Sequence, residues 1–246
     1  MQNPTPPTSA PTSAPTSTPA MAPAPRGPLV LVTAGPTEEP VDEVRFLGNR
    51  SSGRLGIAVA TAFADLGTRV VLALGPIRSP VPADLLSSPH VRVERFRTSA
   101  ELKAMMTREL PAADIVVMAA AVADFRPSAS QPGKLRRGES MTLQLEPVED
   151  LLSATRASRK AGACVIGFAL EPRERLEQSA LDKLSRKDLD AIVANPLETM
   201  DAPDIDATLY FRDGRARRAA APGVAVPKEA FGRWLAAQAI GLANPA

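Results

Sequence analysis

Residues 29–74 read LVLVTAGPTEEPVDEVRFLGNRSSGRLGIAVATAFADLGTRVVLAL, and this stretch forms one strand–loop–helix–strand unit. It opens with the apolar run Leu29–Thr33, which has the length of a buried strand and ends at a glycine-containing turn. A polar loop follows as far as Asn49. The next residues, through about Leu66, have the composition of a helix, and the apolar run Val70–Leu74 is a second buried strand. This order of elements is typical of an α/β protein.

The alternation of strands and helices continues along the chain. We predict further strands over Val91–Phe96, Ile115–Met118, Cys164–Phe168 and Ala191–Ala194, and helices over Ser99–Leu110, Asp150–Lys160, Arg173–Ser185 and Lys228–Ile240. This order predicts a Rossmann-like, doubly wound, mostly parallel sheet with helices on both faces. Near the end, Asp213 and Gly214 separate two short runs, which predicts a small late β-hairpin within residues 207–220.

The first 28 residues differ sharply in composition from the rest. They consist almost entirely of Pro, Thr, Ser and Ala. Such a segment has too little apolar surface to offset the entropy lost on ordering. We therefore expect a disordered tail over residues 1–28 and one domain over residues 29–246, with a docking function of the tail as the alternative.

The overall composition argues against several classes of function. The chain has 246 residues, of which 44% are hydrophobic and 23% charged, with a net charge of +2. We expect a globular domain without the strong field that attracts nucleic acid or an anionic membrane. No run approaches the ~20 apolar residues of a membrane span, and no signal peptide is evident, so a cytoplasmic protein is expected. The single cysteine, Cys164, lies in an apolar run, and we interpret it as a buried strand residue rather than a nucleophile.

Two glycine-containing segments beside the first helix are candidate anion sites. Thr33–Thr37 follows the first strand, where ligands of α/β sheets bind, but a tight structural turn explains this segment equally well. Arg45–Gly56 is the stronger candidate, because it places arginines, hydroxyl groups and glycines at the start of a helix, whose free N–H groups attract anions. A serine is predicted to cap this helix, Gly67 to end it, and the alternative is an ordinary cap with solvent-facing arginines. The candidate phosphate- or substrate-binding residues are Gly35, Ser51, Ser52 and Gly53.

Two later segments offer further chemistry. Ala119–Pro127 follows the predicted strand ending at Met118, and its small residues leave space for a ligand at the edge of the sheet. Asp124 could bind a metal–nucleotide complex or a ribose hydroxyl, or it could brace the loop. Gly133–Gly138 is a basic loop between glycines, which could close over a polyphosphate, although most short basic runs are solvated surface.

Together these segments resemble the phosphopantothenoylcysteine synthetase family. The most specific motifs are TAGPTEEPVDEVRFLGNRSSGRLG at residues 33–56 and AAAVADFRP at residues 119–127. Gly167–Glu171 resembles a third family motif, and a fourth consists of Lys183, Lys187, Asp190 and Ala194–Asn195. The resemblance covers roughly residues 29–240.

The resemblance implies a ligase of coenzyme A biosynthesis. In the bacterial type, CTP rather than ATP activates the carboxylate of phosphopantothenate as an acyl-cytidylate and releases pyrophosphate. The amine of cysteine then attacks, and CMP leaves. Mg2+ is expected to arrive with the nucleotide, and no metal ligands are assigned. The family also implies a homodimer, for which the late hairpin offers an edge.

The resemblance also implies roles for individual residues. Asn49 is implied to contact the acyl-cytidylate, Arg45 to support that site, and Lys134, on the basic loop, to act in the cysteine-dependent second half of the reaction. Lys183 and Lys187 are four residues apart, so a helix places both on one face. The implied nucleotide site consists of Met118, Ala119, Ala120, Asp124, Lys134, Asp150, Phe168, Lys183 and Lys187.

Some positions depart from the family pattern. Pro147–Asp150 stands where Lys-Asn-Pro-Asp or Lys-Thr-Pro-Asp is common and keeps only the aspartate, which puts nucleotide contacts from this turn in doubt. Glu171 precedes proline instead of threonine, and Asn195 precedes proline instead of aspartate. Because only the 28-residue tail precedes the first strand, we expect the stand-alone form, without a flavin, and a separate decarboxylase acting on the product.

Two other classes stay open at this point. A nicotinamide-dependent reductase is compatible with a doubly wound sheet. Against it, the sequence lacks G-x-G-x-x-G after the first strand, and its only tyrosine, Tyr210, has no lysine four residues later. A non-catalytic nucleotide-binding paralogue is the second alternative, supported by the altered turn before Asp150.

Overall fold

The computed structural model describes residues 27–77, 79–130, 132–136, 138 and 140–244. Of the tail expected over residues 1–28, all but Gly27 and Pro28 lie outside the described residues. The described strands are β1 Leu29–Ala34, β2 Glu38–Pro40, β3 Phe46–Gly48, β4 Arg69–Leu74, β5 Val91–Arg95, β6 Ile115–Met118, β7 Phe125–Pro127, β8 Leu145–Pro147, β9 Cys164–Glu171, β10 Ala191–Pro196, β11 Asp204–Ile205, β12 Thr208–Phe211, β13 Ala216–Arg218 and β14 Val226–Pro227. The α-helices are α1 Arg54–Asp65, α2 Ala83–Ser87, α3 Ser99–Glu109, α4 Leu151–Ala154, α5 Arg173–Arg186 and α6 Lys228–Ala243, and two short 3-10 helices cover Arg156–Ser158 and Leu197–Thr199.

One eight-stranded sheet organises the domain, in the order β13-β12-β10-β9-β6-β1-β4-β5. The six strands from β10 to β5 are parallel to their neighbours, and β12 and β13 are antiparallel additions at one edge. The chain runs outward from β1 to one edge and returns to β6 before running toward the other. The resulting switch point, between β1 and β6, is where ligands of such sheets bind. The predicted doubly wound sheet and the late hairpin are both confirmed.

Helices cover both faces of this sheet because successive side chains of each strand point to opposite faces. Val30 and Val32 of β1 face a core built with α1 and α6, while Leu31 faces a second core built with α3 and α5. Helix α1 approaches β1 closely, because a Cβ atom added at Gly56 would lie 2.5 Å from the Cβ of Ala34.

Four short strands outside the main sheet form what we call the apolar arm. The pairs β2–β3 and β7–β8 are antiparallel, and β7 packs beside β2 and β3. Its exposed apolar side chains include Phe46, Phe125 and Leu145, which are 47%, 52% and 45% exposed. The polar loop predicted up to Asn49 is therefore partly wrong, because three-residue strands are too short to show a recognisable alternation.

The predicted serine cap of α1 is also wrong. The helix begins at Arg54, and its N-cap is Gly53, which has a left-handed φ of 74° and makes no side-chain capping bond. Instead, the Ser51 hydroxyl accepts a hydrogen bond from the N–H of Gly53, at 3.4 Å. A glycine adopts this conformation without steric cost, so the chain enters the helix without a hydroxyl cap.

The helix predicted over residues 150–160 is much shorter than expected. Only α4 and one 3-10 turn form, and the hydroxyl of the buried Thr155 donates to the carbonyl of Leu151, at 2.7 Å. The N–H of Lys160 then bonds to the carbonyl of Leu110, which draws the chain toward the end of α3.

The interpretation of Cys164 as a buried strand residue is confirmed. It begins β9 and is 4% exposed. Burial, with a smaller contribution from Asp190, raises the pKa of its thiol to about 12, so the thiol stays protonated and unreactive at neutral pH. Among the described residues, no helix is long and apolar enough to cross a membrane.

Candidate functional site

An open cavity of about 710 Å³ lies at the carboxyl ends of β6, β9 and β10. Much of the site predicted from separate motifs meets here, because parallel strands bring the loops that follow them to one edge of the sheet. The cavity is lined by the predicted residues Asn49, Met118, Ala119, Ala120, Asp124, Asp150, Phe168, Lys183 and Lys187.

The loop after β1 braces the loop after β6, which forms one wall of the cavity. The Thr33 hydroxyl accepts a hydrogen bond from the N–H of Ala120 at 3.0 Å and donates to the sulfur of Met118 at 3.2 Å. The Thr37 hydroxyl accepts from the N–H of Ala123, also at 3.0 Å. Both threonines are fully buried, and backbone hydrogen bonds join the same two loops. These contacts fit a tight structural turn at Thr33–Thr37, and anion binding at this turn stays a prediction.

Asn49 joins the segment before α1 to the same wall. Its side-chain N–H donates to the carbonyl of Val122, at 2.8 Å. The neighbouring Arg50 lies 3.6 Å from the carboxylate of Asp201, whose φ of 59° is left-handed. Asn49 is exposed at the cavity. The hydrogen bond from its side-chain nitrogen to Val122 fixes the orientation of its amide oxygen.

Lys183 lies in α5, whereas Lys187 is the C-cap residue that follows the helix, and each lysine is paired with a carboxylate. Lys183 Nζ lies 2.8 Å from Glu171 Oε1, and Lys187 Nζ lies 2.5 Å from Asp150 Oδ2. The hydrogen bond from Lys183 holds the pKa of Glu171 below its usual value. Burial raises the pKa of Asp150, but hydrogen bonds from Lys187 and the N–H of Ser153 outweigh it, so this pKa is also lowered. Both carboxylates are therefore charged at neutral pH.

The residues predicted to bind phosphate or substrate do not line this cavity. Gly35 and Gly53 have φ values of 83° and 74°, and Cβ atoms added there would lie 2.9 and 2.7 Å from Cγ2 of Ile77. These glycines allow close packing between the turn after β1 and the start of α1. Ser51 and Ser52 lie beside that contact, and neither lines the cavity.

Arg45 and Lys134 also lie outside the cavity lining. They belong to two segments that hydrogen bonds to Asp42 join together. Asp42, 3% exposed, accepts hydrogen bonds from the N–H groups of Arg45 at 2.6 Å and Leu135 at 3.0 Å, and Arg45 donates to the carbonyl of Leu135 at 2.7 Å. Burial raises the pKa of Asp42, but these hydrogen bonds and one from the N–H of Val44 lower it strongly overall. The exposed Lys134 directly precedes the anchored Leu135.

Several residues that shape the site were not assigned a role from the sequence. Thr37 and Asp42 hydrogen-bond to partners about 90 residues away in the sequence. The only hint of their role was that each is a polar residue inside a motif. Asn195, quoted only as part of a motif, lines the cavity and donates to the hydroxyl of Thr199 at 2.8 Å. Met200 lines the cavity as well. No group of three or more His, Cys, Asp or Glu side chains among the described residues could hold a metal ion alone.

Comparison with known proteins gives the family. Residues 26–237 match the family model of the DNA/pantothenate metabolism flavoprotein C-terminal domain. The chain belongs to this family.

The relatives of this family member are larger proteins. It is 36% identical to the coenzyme A biosynthesis bifunctional protein CoaBC of Bacillus subtilis over 196 residues, which cover 78% of this chain and 47% of that protein. It is 41% identical over 173 residues to a cysteine/cysteine sulfinic acid decarboxylase of an unknown prokaryotic organism, covering 70% of this chain and 46% of that protein. The chain thus spans about half the length of these relatives.

A solved structure relates the chain to one part of such a protein. The crystal structure of the C-terminal domain of CoaBC superposes with a TM-score of 0.70 and 30% identity, covering 86% of this chain and 93% of that one. The family resemblance inferred from the motifs at residues 33–56 and 119–127 is confirmed.

The hydrogen bond between the Thr37 hydroxyl and the N–H of Ala123 can be tested by one isosteric substitution. Thr37→Val removes the acceptor for the buried N–H of Ala123 while conserving the shape of the side chain. We expect the free energy of unfolding to fall by about 1–3 kcal/mol, because a buried donor is left unpaired. Urea unfolding measures this loss, and Thr37→Ser, which keeps the hydroxyl, is the control. Equal stability of the valine and serine proteins would contradict the brace.

Proposed function

We propose that this chain ligates 4'-phosphopantothenate and L-cysteine to 4'-phospho-N-pantothenoylcysteine, as the synthetase part of coenzyme A biosynthesis. The observation that carries the proposal is the cavity at the carboxyl edge of the sheet, which is lined both by Lys183 and Lys187 and by a loop of small residues. Two ammonium groups suit a polyphosphate, and the small residues after β6 leave room for a nucleoside.

The reaction that we propose has two steps. A carboxylate oxygen of phosphopantothenate attacks the α-phosphorus of CTP, forming an acyl-cytidylate as pyrophosphate leaves with its bonding electrons. The cysteine amine then attacks the acyl carbon, CMP leaves, and the amine loses a proton. Lys183 and Lys187 hold the phosphates in the first step, Met118, Ala119, Ala120 and Phe168 form the nucleoside wall, and Asn49 contacts the acyl-phosphate group.

We also propose CTP as the nucleotide and Mg2+ as its companion ion. Asp124 lines the cavity, and Mg2+ commonly combines one or two carboxylates with phosphate oxygens. Asp124 therefore fits the ion, which would supply neutralisation of phosphate charge, whereas the lining residue Glu149 is paired with Lys103, at 2.6 Å. A decarboxylase acting on the product is the expected partner enzyme.

The chain is further proposed to form a homodimer, and two surfaces compete for its interface. The late hairpin expected from the sequence supplies the edge strand β13, but it carries charged residues such as Arg215 and Arg217. The apolar arm instead exposes Phe46, Phe125 and Leu145 close together. Large exposed apolar patches are typical of subunit contacts, so the arm is the better candidate.

Phe125→Lys should therefore convert a dimer at micromolar concentration into a monomer, because a charge replaces an apolar contact. Light scattering measures the mass, and Arg217→Glu on the hairpin is the matched control, expected to remain dimeric. A monomeric Arg217→Glu protein with a dimeric Phe125→Lys protein would return the interface to the hairpin. A monomeric parent chain would exclude both.

A nucleotide panel tests the proposed reaction. Phosphopantothenate, cysteine and Mg2+ are supplied with CTP, ATP, GTP or UTP, and the ligated product is detected by mass. Product with CTP is the expected result. Pyrophosphate–CTP isotope exchange that requires phosphopantothenate separates an active ligase from a non-catalytic paralogue, and absence of both signals would refute the proposal. A nicotinamide-dependent reductase is not favoured by the family.

A further inference from the structure

The cavity is electrostatically balanced in a way that is unexpected for a polyphosphate site. The ionisable side chains that line it within the described residues are three cations and three anions: Arg50, Lys183 and Lys187, and Asp124, Glu149 and Asp150. Behind the lining, Glu171 pairs with Lys183, Asp201 with Arg50 and Lys103 with Glu149, so these partners add two negative charges and one positive charge. A tetra-anionic triphosphate gains little from such a lining unless the lysines exchange partners.

The two lysines are held differently. Asp150 lines the cavity itself and also caps α4, accepting from the N–H of Ser153 at 3.0 Å. Glu171 lies outside the lining, at the end of β9, and contacts Lys183 together with the Ser179 hydroxyl, at 3.0 Å. The hydrogen bond from Ser179 thus holds the Glu171 carboxylate in place outside the cavity. The carboxylate can pair with the Lys183 ammonium group again after a ligand has left.

We propose that Glu171 is a positioning residue that competes with the nucleotide phosphates for Lys183 and thereby speeds the release of pyrophosphate. In the empty site Lys183 is paired with Glu171. On binding, the ammonium group turns to the phosphates, and when pyrophosphate departs it returns to the carboxylate. This role rests on the proposed function.

Several features support the competition. The side chains of Lys183 and Glu171 are 26% and 29% exposed, so their interaction is only partly screened by water. Lys183 stands one helical turn from Ser179 on α5, so both reach the same carboxylate oxygen without a change in the helix. The lowered pKa of Glu171 keeps the competing charge present at neutral pH.

Glu171→Gln is the decisive variant, because glutamine keeps an oxygen that accepts from Lys183 but removes the negative charge. We expect pyrophosphate and CTP to bind about fivefold to tenfold more tightly. Steady-state turnover should fall, and inhibition by pyrophosphate should appear at lower concentration, while the rate of the first activation step stays near that of the parent. Isothermal titration with Mg2+–pyrophosphate and single-turnover quench experiments measure these effects.

Glu174→Gln is the matched control. It makes the same change in net charge on the exposed first turn of α5. It should leave pyrophosphate affinity within about twofold of the parent. In a Lys183→Met background, Glu171→Gln should no longer tighten binding, because the coupling requires both partners.

The outcomes separate this proposal from the proposed function. If the parent protein binds neither CTP nor pyrophosphate, the function itself is wrong. If the parent binds both and Glu171→Gln binds pyrophosphate equally or more weakly, Glu171 only orients Lys183, and competition is refuted. Thermal unfolding of each variant shows that a change in affinity does not come from loss of folded protein.

Discussion

The Lys134→Gln protein is expected to activate phosphopantothenate once and then stop, accumulating phosphopantothenoyl-CMP. Lys134 lies outside the cavity that holds Lys183 and Lys187, so the first step can proceed without it. In the second step, negative charge builds on the acyl oxygen and the departing phosphate, and a cation delivered by a moving loop is most valuable there. We expect cysteine ligation to slow by about 100-fold or more.

Hydrogen bonds hold both neighbours of Lys134 in place. Gly133 N–H donates to Glu43 at 3.0 Å, and Leu135 N–H donates to Asp42 at the same distance. The loop is therefore tethered on both sides of the lysine to the turn that also contains Arg45. For Lys134 to move toward the substrate, the loop has to release one of these hydrogen bonds, and Gly133, whose φ is 72°, can change its conformation at little steric cost.

Rapid quench of a single turnover, read by mass, detects the accumulated intermediate. Arg136→Gln removes the same charge from the same basic loop and is expected to ligate cysteine normally. If Lys134→Gln forms no acyl-cytidylate, Lys134 serves nucleotide binding or activation instead. If it ligates cysteine at the normal rate, the loop is solvated surface.

Asn49→Asp should lower the overall activity by at least about tenfold, which corresponds to about 1.4 kcal/mol of lost transition-state stabilisation. The change puts a negative charge beside an anionic intermediate. It also replaces the N–H that donates to the carbonyl of Val122 with an oxygen that repels it. Steady-state kinetics of product formation measure the loss.

A second variant separates these two causes. Asn49→Ala removes the bond to Val122 without adding charge, so it should be less damaging than Asn49→Asp if the side chain contacts the intermediate. Equal losses in both variants would mean that Asn49 acts only by holding the loop after β6. Near-normal turnover of a folded Asn49→Asp protein would exclude the assignment altogether.

The elements of this fold were predictable where their signal is local. The apolar runs that became β1, β4, β6 and β10 were located almost to the residue, because a buried strand of a parallel sheet is apolar on both faces. The hairpin at Asp213–Gly214 was also predictable from local sequence, because its two turn residues favour a hairpin by themselves. Prediction failed at α4, where the chain leaves the helical path and the N–H of Lys160 bonds to the carbonyl of Leu110, a partner far away in the sequence.

Parts of the candidate site were expected before the structure, and other parts depend on contacts between distant segments. The family resemblance implied that the loop after β6 shares one site with Lys183 and Lys187, which by themselves are typical of ordinary helix surface. It could not show that Gly35 and Gly53 serve packing against Ile77, or that a Cβ atom is excluded there. Such a requirement depends on what approaches from another part of the chain.

By itself, therefore, the sequence determined the class of fold, the order of its strands and helices, and the motifs that identify the family. Only the tertiary structure decided which polar groups pair: Thr37 with the loop after β6, Asp42 with the basic loop, Glu171 with Lys183 and Asp150 with Lys187. The physical reason is that the apolar pattern of a strand or helix can be recognised from residues that are neighbours in the sequence. A buried polar group, by contrast, must be satisfied by whatever donor or acceptor the folded chain brings within about 3 Å of it.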